Sequence, residues 1–268
     1  MRNIFMSWLT APTADAFEGL EIAKRAGYDG LGLRLSDPLT GNPASPFVVD
    51  KAARRRFRHA LEDSGMAVKE IEARILTRGS GRQIAPEVLE AAAELGSPLL
   101  IAVADQAGEI TLSELQDRFA GLAAEAAAFG LAIGFEPIAH RACGTWEEAL
   151  AILSDVEGAT LVLDALHLHR MGVSAGVLAA VDPAQLKVFH ICDAPQIPQD
   201  IKGHIDHSAY NRLLPGEGVL PLIDYLAALP PDTPISLEIP MQRYEATLSL
   251  SERAELAIKA FHANCREV

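Results

Sequence analysis

The stretch Ala127-Ala128-Phe129-Gly130-Leu131-Ala132-Ile133-Gly134-Phe135-Glu136 decides the fold. Its first residues close an alanine-rich helical pattern, and Gly130 suits the position after a helix end, where a positive φ costs glycine little. The apolar run that follows is short, as in a strand buried on both faces, and it ends in the carboxylate of Glu136. Helix, glycine stop, strand and terminal acid therefore form one unit of an α/β fold.

The same rhythm runs along the whole chain, where short apolar runs alternate with longer amphipathic runs. The short runs predict eight strands, because each is rich in β-branched or apolar residues. We predict these strands at Ile4–Leu9, Gly30–Leu35, Ala67–Ile75, Leu99–Ala104, Ala132–Glu136, Thr160–Asp164, Lys187–Cys192 and Ile235–Glu238.

Helical patterns lie between the strands, and several carry start or stop signals. Pro86 fits a first helical turn, while Gly27 and Gly65 fit the position after a helix end. We predict helices near Ala14–Ala26, Val48–Ser64, Pro86–Leu95, Leu112–Phe129, Trp146–Leu153, Ala175–Ala180, Leu220–Leu229 and Leu250–Ala263.

The arrangement of these elements favours a closed parallel barrel over an open sheet. Eight βα units follow one another without a Pro- or Ser-rich linker, and 268 residues are close to the roughly 250 that such a barrel needs. An open doubly wound sheet would carry a Gly-rich phosphate turn, and the sequence has no GxGxxG or Walker A pattern. We therefore predict a single-domain (β/α)8 TIM barrel over residues 1–268, with Ala194–Val219 as a long functional loop.

The composition and charge exclude several classes of protein. Apolar residues make up 49% of the chain, which is enough for one large core. The formal net charge of -13 repels phosphate backbones and anionic lipids, so we predict no nucleic-acid or membrane partner. The chain has no run of about 18 apolar residues, the length that a membrane span needs. The basic run Arg54–Arg58 is interpreted as a solvated helix face.

The cysteines Cys143, Cys192 and Cys265 are odd in number and widely spaced. This pattern predicts neither a disulfide framework nor a CxxC metal site, and it favours a reducing cytoplasm. Cys192 lies in an apolar strand pattern, which is typical of a small buried hydrophobic residue rather than a nucleophile. Because Ser7 and Thr10 interrupt the N-terminal apolar run, we interpret it as a strand and not as a signal peptide.

Polar side chains lie at the ends of the last four predicted strands, where barrel enzymes place their sites. In chain order these side chains are Glu136, Asp164, His190 and Glu238. Since the C-terminal strand ends share one rim of a closed barrel, we expect the four to converge. Three converging carboxylates repel one another unless a cation lies between them. The pattern predicts one divalent metal ion, Mn²⁺ or Mg²⁺ because oxygen ligands predominate, with Zn²⁺ and Co²⁺ as alternatives.

At these residues the chain resembles a known family, the xylose isomerase-like barrels. That family includes sugar and sugar-phosphate isomerases and epimerases, inosose dehydratases, 3-dehydroshikimate dehydratases and endonuclease IV. The resemblance implies that the same four residues are the metal ligands and that His167 contacts the substrate. The matching segments, strongest after residue 130, are Gly134–Pro137, Leu163–His167, Phe189–Asp193, Arg212–Gly218 and Ser236–Glu238.

The resemblance implies a metal-dependent isomerase or epimerase of carbohydrate metabolism that works through an enediolate. A metal that bridges a carbonyl and a neighbouring hydroxyl makes the adjacent C–H acidic, so a base can remove its proton. Glu136 and Glu238 are the implied acid and base, with His167 as a further catalytic residue. The expected substrate is a small sugar, sugar phosphate, cyclitol or carboxylated relative. A 3-dehydroshikimate-type or inosose-type dehydratase, which is a lyase, is the main alternative, and a non-catalytic binding barrel is a weaker one.

We expect residues of the predicted loop after strand seven to determine which of these reactions the protein catalyses. Ser208 and Arg212 lie four residues apart in it, and an arginine fork suits a carboxylate or a phosphate. A similar serine and arginine hold the substrate carboxylate in 3-dehydroshikimate dehydratase-like members, which implies substrate binding by both residues here. The alternative is an ion pair from Arg212 to Glu217 or Asp206.

Other residues of this loop are assigned lesser roles. His204 and His207 are interpreted as polar loop residues rather than metal ligands. Glu217 is flanked by glycines, and we interpret it as a group that fixes the loop rather than a catalytic acid.

The chain also departs from two branches of the family. Ketose 3-epimerases carry a glutamate six residues after the first ligand and an arginine six residues after the ligand histidine, whereas this chain has Ala142 and Gln196. Endonuclease IV uses extra histidines on early strands, where this chain has Arg34, Glu70 and Glu72. We therefore expect neither a free ketohexose epimerase nor a DNA-repair enzyme. Relatives often form dimers or tetramers, so the resemblance implies a homo-oligomer.

Overall fold

The computed structural model describes residues 2–154 and 156–265, and its strands form a closed parallel barrel in the order β1 to β8. The predicted fold class is therefore confirmed. Met1, at one end of the predicted domain, lies outside the described residues. The strands are β1 Ile4–Met6, β2 Gly30–Leu33, β3 Ala67–Leu76, β4 Leu99–Ala104, β5 Ala132–Glu136, β6 Thr160–Asp164, β7 Leu186–Ile191 and β8 Ile235–Leu237.

Helices occupy the connections between the strands, and most lie where the sequence predicts them. The prediction of one helix over Val48–Ser64 is wrong, because the chain breaks at Asp50, whose side chain accepts hydrogen bonds from the first turn of a new helix. The helices are α1 Ala16–Ala26, α2 Pro46–Val49, α3 Lys51–Ser64, α4 Pro86–Glu94, α5 Leu112–Ala127, α6 Trp146–Leu153, α7 Ala165–Arg170, α8 Ala175–Leu178, α9 Ile201–Ala209, α10 Leu222–Ala228 and α11 Leu250–Cys265.

The first of two compact units comprises residues 2–31 and 163–265. Within it β8 pairs in parallel with both β1 and β7, and α1 packs against α11. Gly27 ends α1 with a φ of 92°, a left-handed conformation that glycine adopts without strain, as the sequence predicts. The hydroxyl of Tyr28 then donates to the Ala254 carbonyl at 3.0 Å, which fixes the chain entering β2 on α11.

The second compact unit spans Gly32–Val162. Within it β4 pairs with β3 and β5, and β5 pairs with β6 through Gly134 and Thr160. A Cβ at Gly134 would lie 2.7 Å from a Val162 methyl carbon, so only glycine fits at this point of β5. The ring of Phe119 on α5 meets Phe135 edge-on, with ring centroids 5.7 Å apart. These contacts fix the strand that ends at Glu136.

Three further predictions need correction. The predicted loop Ala194–Val219 contains the helix α9, and Ile4–Leu9 is a strand only to Met6, after which Ser7 caps a short 3-10 turn. The basic run Arg54–Arg58 is not wholly solvated, because Arg54 is buried on α3. Its Nε donates to Glu94 at 2.6 Å across the contact with α4.

The cysteines and the helices can also be compared with the sequence predictions. All three cysteines are free and buried, as expected for a chain without a disulfide framework. Over residues 2–154 and 156–265 no helix has the length and apolar character to cross a membrane.

Candidate metal centre

The structure brings the four predicted metal ligands together at the C-terminal ends of β5 to β8. Each residue offers one ligand atom, and these atoms all lie within 4.8 Å of one another. Each of the four residues is also buried. The residues in this group, which we call the acid–histidine cluster, are Glu136, Asp164, His190 and Glu238.

The donor set of the acid–histidine cluster fits a divalent cation. Metal–ligand bonds of about 2.1 Å place opposite ligand atoms about 4 Å apart, so small side-chain adjustments would close the cluster around one ion. Three carboxylates and an imidazole provide mainly oxygen ligands, which Mn²⁺ and Mg²⁺ prefer and Zn²⁺ accepts. The neighbouring guanidinium of Arg212 formally neutralises one of the three negative charges. Two negative charges then remain, which equals the charge of one divalent ion.

Asp164 is fixed from both sides of its carboxylate. Its Oδ1 accepts from the backbone N–H groups of Leu166 at 2.7 Å and His167 at 3.4 Å, so the side chain also caps α7. Its Oδ2 accepts from Arg212 Nη1. Burial raises the pKa of Asp164, but the charge and hydrogen bond of Arg212 together with the charges of His167 and His190 outweigh burial and hold the pKa well below its usual range. The carboxylate therefore stays ionised, as a metal ligand must be.

The strand end that carries Glu238 is tied to the N-terminal turn. Thr10 Oγ1 donates to the Leu237 carbonyl at 2.7 Å and accepts from Ile239 N–H at 2.9 Å, which brackets Glu238 on both sides. Ser7 Oγ lies 3.3 Å from Glu238 Oε1 and donates to it. His190 Nδ1 lies 3.6 Å from Oε2 of the same carboxylate. The ligand positions of β7 and β8 are thus coupled to each other and to the turn after β1.

Arg212 lies in the cluster itself. Its side chain is buried, its Nη1 contacts Asp164, and its Nη2 donates to Glu238 at 2.6 Å. Burial opposes the charged form, but the two carboxylates raise the pKa of Arg212 well above its usual value. The predicted alternative partners, Glu217 and Asp206, are not the residues that Arg212 contacts. Substrate binding by Arg212 stays a prediction.

Asp193 is a residue beside the site whose contacts the sequence prediction missed. It follows β7, and its Oδ2 accepts from the N–H groups of Gly216 at 3.0 Å and Gly218 at 2.9 Å. Its Oδ1 accepts from Ala194 and Leu220. A Cβ at Gly218 would lie 2.3 Å from this carboxylate, so the glycine is required for the approach. Asp193 thereby holds the end of the connection that carries Arg212. In the sequence, an aspartate directly after a predicted strand, followed by Pro215–Gly218, could have indicated this contact.

The predicted loop-fixing role of Glu217 agrees with its contacts. Its Oε2 accepts from the Leu214 N–H at 3.1 Å and lies 3.5 Å from Arg243 Nη2. Arg243 Nη1 in turn donates to the Arg212 carbonyl at 2.8 Å. The exposed glutamate therefore stabilises the connection around Arg212 from outside the cluster.

The two other predicted substrate contacts lie on helices beside the cluster. His167 on α7 and Ser208 on α9 are both buried, and His167 Nε2 lies 3.4 Å from Ser208 Oγ. The Ser208 carbonyl accepts from Arg212 Nε at 2.8 Å. His167 thus contacts Asp164 through its backbone N–H, and Ser208 contacts the Arg212 side chain, while the substrate contacts of both residues stay a prediction.

Glu136 has a basic neighbour of its own, which the sequence prediction also missed. Arg141, in the connection after β5, donates from Nη1 to the Ala104 carbonyl at 3.0 Å. Burial lowers the pKa of Arg141, while the charges of Glu136 and Asp105 raise it. This guanidinium therefore partly compensates the negative charge at the end of β5.

Cys192 contributes no nucleophile to the site. The residue is fully buried, and its Sγ accepts a weak hydrogen bond from Arg212 at 3.5 Å. Burial raises the pKa of the Cys192 thiol far above neutrality, so the thiol stays protonated. This agrees with its interpretation as a small buried hydrophobic residue.

Comparison with known proteins assigns the chain to a family. Residues 20–262 match the model of the family described as xylose isomerase-like TIM barrel. The chain belongs to the xylose isomerase-like TIM barrel family. Among curated proteins it is similar to an inosose isomerase of Bacillus velezensis, with 26% identity over 241 residues, which cover 85% of this chain and 84% of that protein.

Solved structures of the family share the fold. The IolI protein with a binding zinc atom superposes with a TM-score of 0.79 at 20% sequence identity, over 97% of each chain. The probable 3-DHS dehydratase AsbF of Bacillus anthracis gives a TM-score of 0.74 at 13% identity, over 99% of this chain and all of that one. At these identities the similarity establishes the fold alone.

Proposed function

We propose that this protein is a divalent-metal-dependent isomerase or epimerase that moves a proton on a small polyhydroxylated ketone or aldehyde through an enediolate. The observation that carries the proposal is the acid–histidine cluster, whose four ligand atoms lie within 4.8 Å of one another at the strand ends. The similarity to an inosose isomerase supports a cyclitol or sugar as the substrate. The zinc in the IolI structure supports a metal in the cluster, with Mn²⁺ as our first candidate for this chain.

When bound, the metal ion stabilises the negative charge that develops on the substrate oxygen as the neighbouring C–H proton leaves. Glu238 is held for proton transfer by its neighbours, because Arg212 fixes Oε2 at 2.6 Å and Ser7 lies 3.3 Å from Oε1. Oε1 is thus the atom at which Glu238 takes the proton. Glu136, on β5, gives a proton of its own to the other carbon or to the other face of the same carbon, and proton exchange with solvent then restores both carboxyl groups.

His167 and Ser208 position the substrate in this proposal. The 3.4 Å contact between His167 Nε2 and Ser208 Oγ fixes the imidazole, whose ring then offers a hydrogen bond to a substrate hydroxyl. Both side chains are buried, so they also keep water away from the reacting carbon.

A dehydratase reaction is the second candidate, and the pairing of Ser208 with Arg212 favours it. Arg212 Nε donates to the Ser208 carbonyl at 2.8 Å, so the serine and the guanidinium belong to one arrangement that suits a substrate carboxylate. The similarity in fold to a probable 3-DHS dehydratase is consistent with this candidate. The same acid and base would then expel a β-hydroxyl group as water.

Solvent deuterium exchange tests both reactions. Mn²⁺-loaded protein is incubated in D₂O with scyllo-inosose, D-fructose, D-fructose 6-phosphate and 3-dehydroshikimate, and proton NMR follows the carbon beside the carbonyl. We expect deuterium at that carbon with the metal-loaded protein and none after chelation. A rise in ultraviolet absorbance with 3-dehydroshikimate would instead identify the dehydratase, because loss of water forms a conjugated product. Absence of any metal-dependent reaction across the four compounds would contradict the proposal and favour a non-catalytic barrel.

We also propose a cytoplasmic homo-oligomer, on the ground of the cysteine pattern and the family resemblance. Gel filtration with light scattering measures the molar mass in solution and so tests the assembly. A monomer at micromolar concentration would contradict the proposed oligomer.

A further inference from the structure

The facing sides of α7 and α9 form a polar surface that the proposed reaction does not use fully. On α9 the residues His204, His207 and Ser208 recur at helical spacing and so share one side of the helix. On α7 His167 and Arg170 are three residues apart. Arg170 Nη1 donates to the His204 carbonyl at 3.1 Å, and the His167–Ser208 contact completes the junction. We call Arg170, His204 and His207 the basic triad.

The basic triad has an excess of groups that are or can become positive. Burial and the neighbouring charge of Arg212 together lower the pKa of Arg170 to about 10, although the charge of Asp164 opposes this. Burial lowers the pKa of both His204 and His207, and the charge of Arg170 adds to that effect. The positive groups thus repel one another, which marks a site suited to an anion.

The acids around the basic triad are engaged elsewhere. Asp164 is bound by Arg212, as described above. Asp200 caps α9 by accepting from the Gly203 N–H at 2.7 Å, and Asp206 accepts from Asn211 Nδ2 at 2.9 Å. None of these contacts pairs a carboxylate with Arg170 by a hydrogen bond.

Two donors of the basic triad have no partner among the residues that the structure describes. They are Arg170 Nη2 and His207 Nδ1, and both atoms are shielded from solvent. A buried donor without a partner costs free energy, and such costs are typically retained where a ligand supplies the missing acceptor. The two atoms belong to different helices, and the residues are close enough for the charge of Arg170 to act on His207.

We propose that the basic triad binds the phosphate group of a phosphorylated substrate, beneath α9 and beside the acid–histidine cluster. A phosphate monoester presents three terminal oxygens in different directions, which suits donors from two helices better than a planar carboxylate does. The proposal rests on the proposed function and narrows its substrate class from sugars in general to sugar or cyclitol phosphates.

Binding of inorganic phosphate tests the subsite without any reaction. Chelator-treated protein is titrated calorimetrically with phosphate, and with chloride at equal ionic strength, so that no metal can hold the anion. We expect Arg170→Gln to weaken phosphate binding by about tenfold or more, the usual effect of losing a charge-assisted hydrogen bond. Lys202→Gln is the matched control, because it removes a positive charge from an exposed position of the same helix and should leave binding within about twofold.

A second arm separates a substrate phosphate from a free anion. D-Fructose 6-phosphate should bind Mn²⁺-loaded protein more tightly than D-fructose, and Arg170→Gln should remove that difference. Binding of inorganic phosphate without any preference for the sugar phosphate would overturn the substrate assignment. Equal phosphate affinity in Arg170→Gln and the wild type would overturn the subsite.

Two further measurements keep the proposal testable if Arg170→Gln does not fold. His207→Asn should also weaken phosphate binding, and phosphate should slow amide hydrogen exchange in residues 201–209. Unchanged exchange there would count against phosphate binding at α9. Deuterium exchange of an uncharged ketone by the wild type separates failure of the subsite from failure of the proposed function, because that substrate carries no phosphate.

Discussion

The strand ends of β5 to β8 and the helices α7 and α9 contribute to one site in different ways. The strand ends carry the carboxylates and the imidazole of the acid–histidine cluster, and strand pairing fixes Glu136 opposite Val103 and His190 opposite Ser236. The helices carry His167, Arg170 and Ser208, whose positions depend on contacts between two short helices. The sheet therefore fixes the groups proposed to hold the metal, and the connections hold the groups proposed to select the substrate. The predictions below test this division.

The largest effect is expected at a strand end. Glu238→Gln keeps the shape of the side chain but removes the base, so metal-dependent deuterium exchange should fall by about 10²–10⁴-fold while the fold persists. Glu21→Gln makes the same change at an exposed position of α1 and should have no effect. The check is the exchange rate by NMR together with circular dichroism. An active, folded Glu238→Gln protein would remove Glu238 from the proposed chemistry.

The next largest effect is expected at Arg212, whose guanidinium links Asp164 and Glu238 at the strand ends to the connection after β7. Arg212→Gln leaves the buried carboxylates of Asp164 and Glu238 without their partner, and this should cost about 3–5 kcal/mol in the free energy of unfolding of metal-free protein. Added Mn²⁺ should restore part of the loss, because it supplies the missing positive charge. Urea unfolding measures both, with the exposed Arg25→Gln as control. Stability equal to the wild type without metal would show that the ion pair is not formed in solution.

A change at Asp193 should destabilise the connection after β7 without disturbing the proposed metal ligands at the strand ends. Asp193→Asn keeps one carbonyl oxygen where two oxygens accept four backbone N–H groups, so the free energy of unfolding should fall by about 1–3 kcal/mol. Metal affinity should change little, since Asp193 is not in the acid–histidine cluster. Asp224→Asn, exposed on α10, is the control. A larger loss of metal affinity than of stability would contradict the division between strand ends and connection.

The smallest effect is a dependence on pH. The pKa of Asp164 is lowered in the folded protein, so its contribution is fully present above its ordinary value of 3.8 and is lost as pH falls below that value. Metal-free wild type should therefore lose stability on acidification from pH 5 to pH 3, by up to about 1.4 kcal/mol per pH unit from this group. Asp164→Asn should show a shallower slope, measured by urea unfolding across that range. Parallel slopes would mean that Asp164 is not the group responsible.

The same division explains what could be predicted from the sequence. β4, β5 and β6 have the predicted bounds, because an apolar run that is buried on both faces begins and ends abruptly in sequence. The four cluster residues follow from the same pattern, since each is the polar residue that ends or interrupts such a run. The family resemblance added their roles, which periodicity does not reveal.

Helices α7 and α9 were not predicted, for physical reasons. α7 has six residues, too few for a helical period, and its cap is Asp164, which the strand pattern already claims. α9 contains Gly203, and its isoleucines Ile201 and Ile205 are exposed, so its apolar residues do not mark a buried side. The pairing of Arg212 with Asp164 joins residues far apart in sequence, and no local signal reports it. Arg141 likewise lies in a connection whose path only the fold determines.

A manganese titration tests the central claim most directly, namely that the four strand-end side chains share one divalent cation. The chelator-treated wild type is titrated with Mn²⁺, and binding is followed by calorimetry and by the electron paramagnetic resonance signal of free Mn²⁺. We expect one ion to bind per chain. His190→Asn should weaken that binding by at least about a hundredfold, since even residues outside the ligand shell account for 10–100-fold. His262→Asn, exposed on α11, should bind as the wild type does. Absence of stoichiometric binding in the wild type, or equal binding in His190→Asn, would contradict a metal centre at Glu136, Asp164, His190 and Glu238.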